Sequence, residues 1–129
     1  MKLTMRLGQR SYDIIIKRGS LGRLGQLIHL DRKVLIVTDD GVPVQYVQAV
    51  AGQCGQPCTV TVPQGEGSKS IEMWQQLLAR MLEENFGRRD LVIAVGGGVV
   101  GDLAGFAAAC YMRGVDFVNI PTTTLAQID

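Results

Sequence analysis

The run Leu91-Val92-Ile93-Ala94-Val95 passes without a polar interruption into Gly96-Gly97-Gly98-Val99-Val100-Gly101-Asp102. Five consecutive apolar residues closed by glycine predict a strand buried on both faces, the kind found in parallel sheets covered by helices. The segment after the glycines, Leu103 to Tyr111, is compatible with a helix. A strand, a glycine turn and a helix in that order constrain the chain more than any other feature it carries.

The rest of the chain repeats the alternation. Leu21, Leu24, Leu27 and Ile28 recur at helical spacing after Ser20, and Val34 to Val37 follows as a buried strand. Pro43 suits the first turn of a helix over Val44 to Ala51, and Thr59 to Val62 forms another strand. From Ser70 to Glu84 the residues Ile71, Trp74, Leu77, Leu78, Met81 and Leu82 fall on one helical face, predicting a core stripe. Val115 to Ile120 is one more strand, ending at Pro121. Ahead of all this, Leu3, Met5 and Leu7, then Tyr12, Ile14 and Ile16, alternate with polar residues around a turn from Gly8 to Ser11, which predicts a hairpin. The expected class is α/β: one domain over residues 1–129, a mostly parallel Rossmann-like sheet with helices on both faces and an N-terminal β-hairpin.

Several functions are excluded early. Thirteen basic and twelve acidic residues leave a net charge of +1, with no basic run of the kind that contacts nucleic acid. The apolar runs are shorter than the roughly 18 residues of a membrane span, and no signal peptide opens the chain, so the expected location is the cytoplasm. Cys54, Cys58 and Cys110 show no CxxC spacing and read as reduced thiols. His29, the only histidine, is expected near the C-terminal end of a surface helix and builds no metal site alone.

Chemistry-bearing residues gather where strands end, which is where ligands bind in open parallel sheets. Gly96, Gly98 and Gly101 satisfy G-x-G-x-x-G. Residues without a Cβ let backbone amides and a helix N-terminus approach a pyrophosphate, although the same glycines would also permit close helix packing. In Pro63-Gln64-Gly65-Glu66-Gly67-Ser68-Lys69-Ser70, Glu66 suits ribose hydroxyls and Lys69 a phosphate, the alternative being a solvated loop. Asp39 and Asp40, in Thr38-Asp39-Asp40-Gly41, suit ribose hydroxyls or equally a helix cap. Pro121-Thr122-Thr123-Thr124 offers hydroxyls and amides for a phosphate or an adenine edge, or again a helix cap. Structural turns have no reason to align these groups along one edge, so a dinucleotide site is the favoured reading.

The segment Gly96 to Ala108, together with Tyr111-Met112-Arg113-Gly114, Pro121-Thr122-Thr123, Gln127-Ile128-Asp129 and the loop Gly65-Glu66-x-x-Lys69-Ser70, closely resembles the 3-dehydroquinate synthase family over essentially the whole chain. Gln64, where many members carry an acidic residue, and Gly67-Ser68, where they carry a bulkier pair, depart from it. The resemblance implies a shikimate-pathway lyase that uses NAD catalytically to convert a seven-carbon keto-sugar acid phosphate into 3-dehydroquinate and phosphate. It implies an NAD site at Asp39, Gly65, Glu66, Lys69, Gly97, Gly98, Val99, Val100, Gly101, Asp102, Thr122 and Thr123. It further implies Asp129 on the substrate side, and Arg113 lent across a homodimer interface to the substrate phosphate. The family's helical C-terminal domain, with catalytic lysines and a glutamate and two histidines on zinc or cobalt, would lie past Asp129. The expected function of this chain by itself is therefore NAD binding without turnover. A related sugar-phosphate cyclase, a polyol dehydrogenase and a catalytically silent NAD-binding module are the alternatives.

Overall fold

The computed structural model describes residues 2–7, 10–15 and 20–122. Its strands are β1 (Lys2–Leu7), β2 (Arg10–Ile15), β3 (Lys33–Asp39), β4 (Gln56–Val62), β5 (Leu91–Gly96) and β6 (Asp116–Pro121). The helices are α1 (Val44–Ala51), α2 (Ile71–Glu83) and α3 (Gly98–Cys110). Six strands make one sheet in the order β2-β1-β6-β5-β3-β4. The pairs β3–β4, β3–β5 and β5–β6 are parallel, while β1 runs antiparallel to both β2 and β6. The hairpin thus extends a parallel sheet as an antiparallel edge. Its register pairs Arg6 with Ser11 and Leu7 with Arg10, so the strand begins inside the segment expected as a turn.

Period-two alternation sorts the central strands onto two cores. Val34, Ile36, Leu91, Ile93, Val95, Val118 and Ile120 face one side, where they meet Leu24, Ile28 and α1 through Val50. Leu35, Val37, Val92, Ala94 and Phe117 face the other, under α2 through Leu77 and Met81 and under α3 through Leu103, Ala104 and Ala107. Every residue of β5 is buried, as the unbroken apolar run requires. At the amino-terminal edge Arg32 ties the layers together, donating to Asp116 Oδ2 at 2.8 Å, to the His29 carbonyl at 2.7 Å and to the Arg89 carbonyl at 2.8 Å.

Three expectations are corrected. The apolar spacing at Leu21 to Ile28 makes a 3-10 segment over Ser20–Gln26 rather than an α-helix, broken at Arg23 (φ −119°, ψ 22°). Gly22 and Gly25 lower its helical propensity, while Leu24 and Ile28 still reach the core and Leu27 does not. His29 accordingly lies beyond the helical segment, exposed. The stripe on α2 is narrower than its periodicity suggests: Leu77 and Met81 are fully buried, but Ile71 and Leu82 are 68% and 66% exposed. Finally, α3 begins at Gly98, within the glycine segment, and not at Leu103. Burial of Val100 and Leu103 under the sheet outweighs the poor propensity of glycine.

Candidate functional site

The connection leaving β3 through α1 lies on one face of the sheet, and the connection leaving the adjacent β5 through α3 lies on the other. Neighbouring parallel strands whose connections part in this way open a crevice at their carboxyl ends. Thr38, buried at the end of β3, donates its hydroxyl to the Val95 carbonyl at 2.8 Å and holds the two lips together. Asp39 and Asp40 stand on one lip and Gly96-Gly97-Gly98 on the other.

The glycines divide into two kinds. A Cβ on Gly96 would sit 2.9 Å from Val100 Cβ, and one on Gly101 would sit 2.8 Å from Asn119 Oδ1, so these positions serve the packing of α3 on the sheet. A Cβ on Gly97 or Gly98 meets nothing within 4 Å. Packing does not require glycine there, and the open space lies over the start of α3. Gly97 is the N-cap and has no side-chain cap. The first intrahelical bond runs from the Gly101 amide to the Gly97 carbonyl at 3.0 Å, which leaves the amides of Gly98, Val99 and Val100 without an intrahelical carbonyl. Bare amides, the positive end of a helix dipole and space for an anion coincide at the switch point. Gly101 differs from the others expected to bind a cofactor, because its amide is already committed within the helix.

The loop after β4 reaches the same edge. Gly65 takes φ 106°, a conformation L side chains rarely adopt, and starts the 3-10 turn Glu66–Ser68. The Ser68 hydroxyl donates to the Pro63 carbonyl and closes that turn. Asp40 Oδ1 accepts from the Gln64 amide at 3.0 Å, and Asp39 Oδ1 accepts from the Gly41 amide at 2.9 Å. Neither aspartate caps α1, whose N-cap is Pro43 with no side-chain bond, so the helix-cap alternative is removed. Asp40 instead ties the two loops together. Glu66 is exposed.

Lys69 Nζ lies 2.9 Å from Asp102 Oδ2, joining this loop to the second turn of α3. The hydrogen bond that Lys69 donates to Asp102, then the negative charge of Asp102, hold the Lys69 ammonium above its ordinary pKa. The lysine read from sequence as a phosphate partner is thus paired with a carboxylate read as part of the same site. The pair lines a pocket of about 230 Å³ together with Ser70, Ile71, Trp74, Leu103 and Phe106. The Trp74 and Phe106 rings stand 5.1 Å apart. Sequence reasoning missed this pocket because Ile71 and Trp74 match the period of a core stripe, and only the position of α3 shows where the stripe is left uncovered.

Thr122 follows β6, whose last residue Pro121 pairs with Gly96, so it stands beside the glycine lip. Thr123, Thr124, Gln127, Ile128 and Asp129 lie outside the described residues. Arg113 is placed elsewhere. It is exposed just past the C-terminus of α3, and a 13-residue helix rising about 1.5 Å per residue is roughly 20 Å long, so it lies toward the amino-terminal edge of the sheet. Among the described residues no three His, Cys, Asp or Glu side chains converge to hold a metal, and no helix is long and apolar enough to cross a membrane.

An open, mostly parallel sheet with a glycine-led helix at its switch point, and a carboxylate at the end of the adjacent strand, places the chain in the Rossmann-like class of α/β proteins. Among solved structures the fold is similar to 2-deoxy-scyllo-inosose synthase (TM-score 0.81, 24% identity, 95% of this chain and 36% of that one). It is also similar to 2-epi-5-epi-valiolone synthase from Streptomyces hygroscopicus subsp. jinggangensis 5008, a structure with NAD+ and Zn2+ bound (TM-score 0.74, 30% identity, 96% of this chain and 36% of that one). Residues 59–129 match the family model described as 3-dehydroquinate synthase N-terminal, and the chain belongs to the 3-dehydroquinate synthase family. The 3-dehydroquinate synthase of Pseudoalteromonas translucida is 41% identical over all of this chain and 37% of its own length. That of Bradyrhizobium sp. strain BTAi1 is 47% identical over 95% of this chain and 34% of its own length. The chain spans little more than a third of the length of these relatives.

Proposed function

We propose that this chain is the NAD-binding part of a cytoplasmic 3-dehydroquinate synthase, seating the cofactor across the β3–β5 crevice. The observation that carries the reading is the pair Gly97 and Gly98, whose missing side chains serve no packing and leave the first amides of α3 open to an anion. The amides of Gly98, Val99 and Val100 take the pyrophosphate, and Asp39 accepts from ribose hydroxyls. Glu66 and Thr122 complete the polar rim, and Thr123, outside the described residues, is proposed as a further cofactor ligand. Lys69 exchanges Asp102 for a phosphate oxygen as the cofactor enters, and Asp102 turns to the cofactor in its place. Bound NAD supplies reversible hydride transfer at a substrate hydroxyl; the protein holds and orients it. The identities of 41% and 47% to 3-dehydroquinate synthases support this reaction.

The zinc or cobalt of the family finds no ligand set among the described residues. Metal and catalytic lysines belong to segments matching the remaining length of the relatives, so this chain alone binds NAD without turning over the sugar-acid phosphate. Asp129 is proposed on the substrate side. Arg113, roughly 20 Å from the start of α3, does not reach a ligand above Gly98 in its own protomer, so a role on the substrate phosphate requires a second copy and a homodimer. Calorimetric titration of NAD tests the assignment. Gly98→Val and Asp102→Ala are expected to weaken binding at least tenfold, about 1.4 kcal/mol. Parental affinity in both variants rules the site out.

A further inference from the structure

The turn that follows α3 contains three successive residues in the left-handed region: Met112 at φ 47°, Arg113 at φ 68° and Gly114 at φ 110°. Only the glycine is suited to it. Met112 and Arg113 carry side chains that disfavour this conformation, and such strain persists only where the surroundings over-determine it. A single left-handed glycine suffices to stop a helix, so ending α3 does not explain the two residues before it.

The constraint comes from Tyr111. Its ring is buried, and its hydroxyl donates to the Phe86 carbonyl at 2.7 Å, with the Met81 carbonyl 3.4 Å away. Phe86 follows Asn85, itself left-handed at φ 58° where α2 ends. One hydroxyl therefore pins the turn after α3 to the turn after α2. Two backbone bonds complete the clamp: the Gly114 amide donates to the Tyr111 carbonyl at 2.8 Å, and the Val115 amide to the Ala108 carbonyl at 2.9 Å. The Arg113 side chain is exposed, and among the described residues it makes no ion pair or hydrogen bond. The direction in which its Cα–Cβ bond leaves the fold is consequently set by this backbone.

We propose that Tyr111 is a positioning residue, holding the strained turn so that Arg113 extends from a fixed backbone position toward the phosphate of the substrate in the partner's site. The proposal rests on the reading of Arg113 given above. A fixed backbone matters because a mobile turn would have to be ordered on each binding event, whereas a clamped one has lost that freedom on folding and leaves only the side chain to be ordered.

The test is a double-mutant cycle in the full-length protein, read by steady-state kinetics with the seven-carbon phosphate substrate. Tyr111→Phe removes only the hydroxyl, and is expected to raise KM about fivefold with kcat within about twofold and NAD affinity unchanged. Arg113→Ala is expected to raise KM further, and Tyr111→Phe added to it to do nothing more, because Tyr111 acts through Arg113. A normal KM in Tyr111→Phe overturns the proposal and leaves Arg113 its role. An equal effect of Tyr111→Phe with and without Arg113 shows a general structural contribution and overturns it too. An unchanged KM in Arg113→Ala removes the reading of Arg113 and the proposal with it. If Tyr111→Phe does not fold, Gly114→Ala, which strains the same turn at φ 110° where a Cβ meets only the Ala109 carbonyl at 3.8 Å, takes its place in the cycle under the same outcomes.

Discussion

Two glycines two residues apart are expected to respond in opposite ways to gaining a side chain. At Gly96 a methyl group would collide with the branched Val100, whose Cβ and both Cγ atoms lie within 3.1 Å, so Gly96→Ala should destabilise the fold by about 1–3 kcal/mol. At Gly98 a side chain has free space, so Gly98→Val should unfold within about 0.5 kcal/mol of the parent while losing NAD affinity. Denaturant melts and cofactor titration on both variants check the pair, and equal stability losses would contradict the division of roles. The glycine pattern was legible in the sequence, but not which glycine served which purpose, because that depends on what each absent Cβ would meet across the fold. The thiols separate in the same way. Burial pushes the Cys54 thiol up to about 11, while Cys110 is exposed. Alkylation at pH 8 should therefore modify Cys110 first and leave Cys54 intact. The native Cys54 keeps its proton to about 11 and the unfolded thiol only to about 9.0, so stability should fall as pH rises between those values.

At the scale of elements, α2 shows where periodicity suffices and where it does not. Ser70 was expected at the helix start, and its hydroxyl accepts from the Met73 amide at 3.2 Å, so Ser70→Ala should cost about 1 kcal/mol. Leu77 and Ile71 read alike in the sequence, as members of one stripe. Leu77 is fully buried under the sheet, and Leu77→Ala should cost about 2–5 kcal/mol; Ile71 is 68% exposed, and Ile71→Ser should change stability by no more than about 0.5 kcal/mol. Thermal or urea unfolding distinguishes them directly. The reason lies outside the helix: a stripe spans more surface than one neighbouring layer covers, and the pocket beside Trp74 and Phe106 is the part that α3 leaves open. The start of α3 was misplaced for a related reason. Glycine is a poor helix former, but burial of Val100 decides the matter after the chain has folded.

For the whole molecule, the separation between Gly98 and Arg113 at opposite ends of α3 has a consequence for assembly. If Arg113 serves the partner's site, full-length Arg113→Ala and Asp102→Ala should each be impaired, and mixing them under conditions that exchange subunits should restore part of the activity. A mixed pair has one site with both residues intact. No recovery on mixing, with exchange demonstrated, would place Arg113 and Asp102 in one protomer's service or remove Arg113 from the site. The sheet order β2-β1-β6-β5-β3-β4 underlies this geometry, since it sets the crevice between β3 and β5 and sends α3 back toward the other edge.

The sequence by itself determined the alternation of strands and helices, the hairpin, the doubly buried β5 and the placing of the glycines, Asp39, Glu66 and Lys69 at strand ends. These are local properties: the period of apolar residues and the chemistry of turns need only neighbours along the chain. Tertiary structure alone decided that β3 and β5 are adjacent and that Lys69 meets Asp102 across 33 residues. It decided also that Asp40 bonds the Gln64 loop and that Tyr111 pins the turn carrying Arg113. Each of these depends on contacts between segments distant in sequence, and such contacts are set by which layers pack together, which no local periodicity specifies.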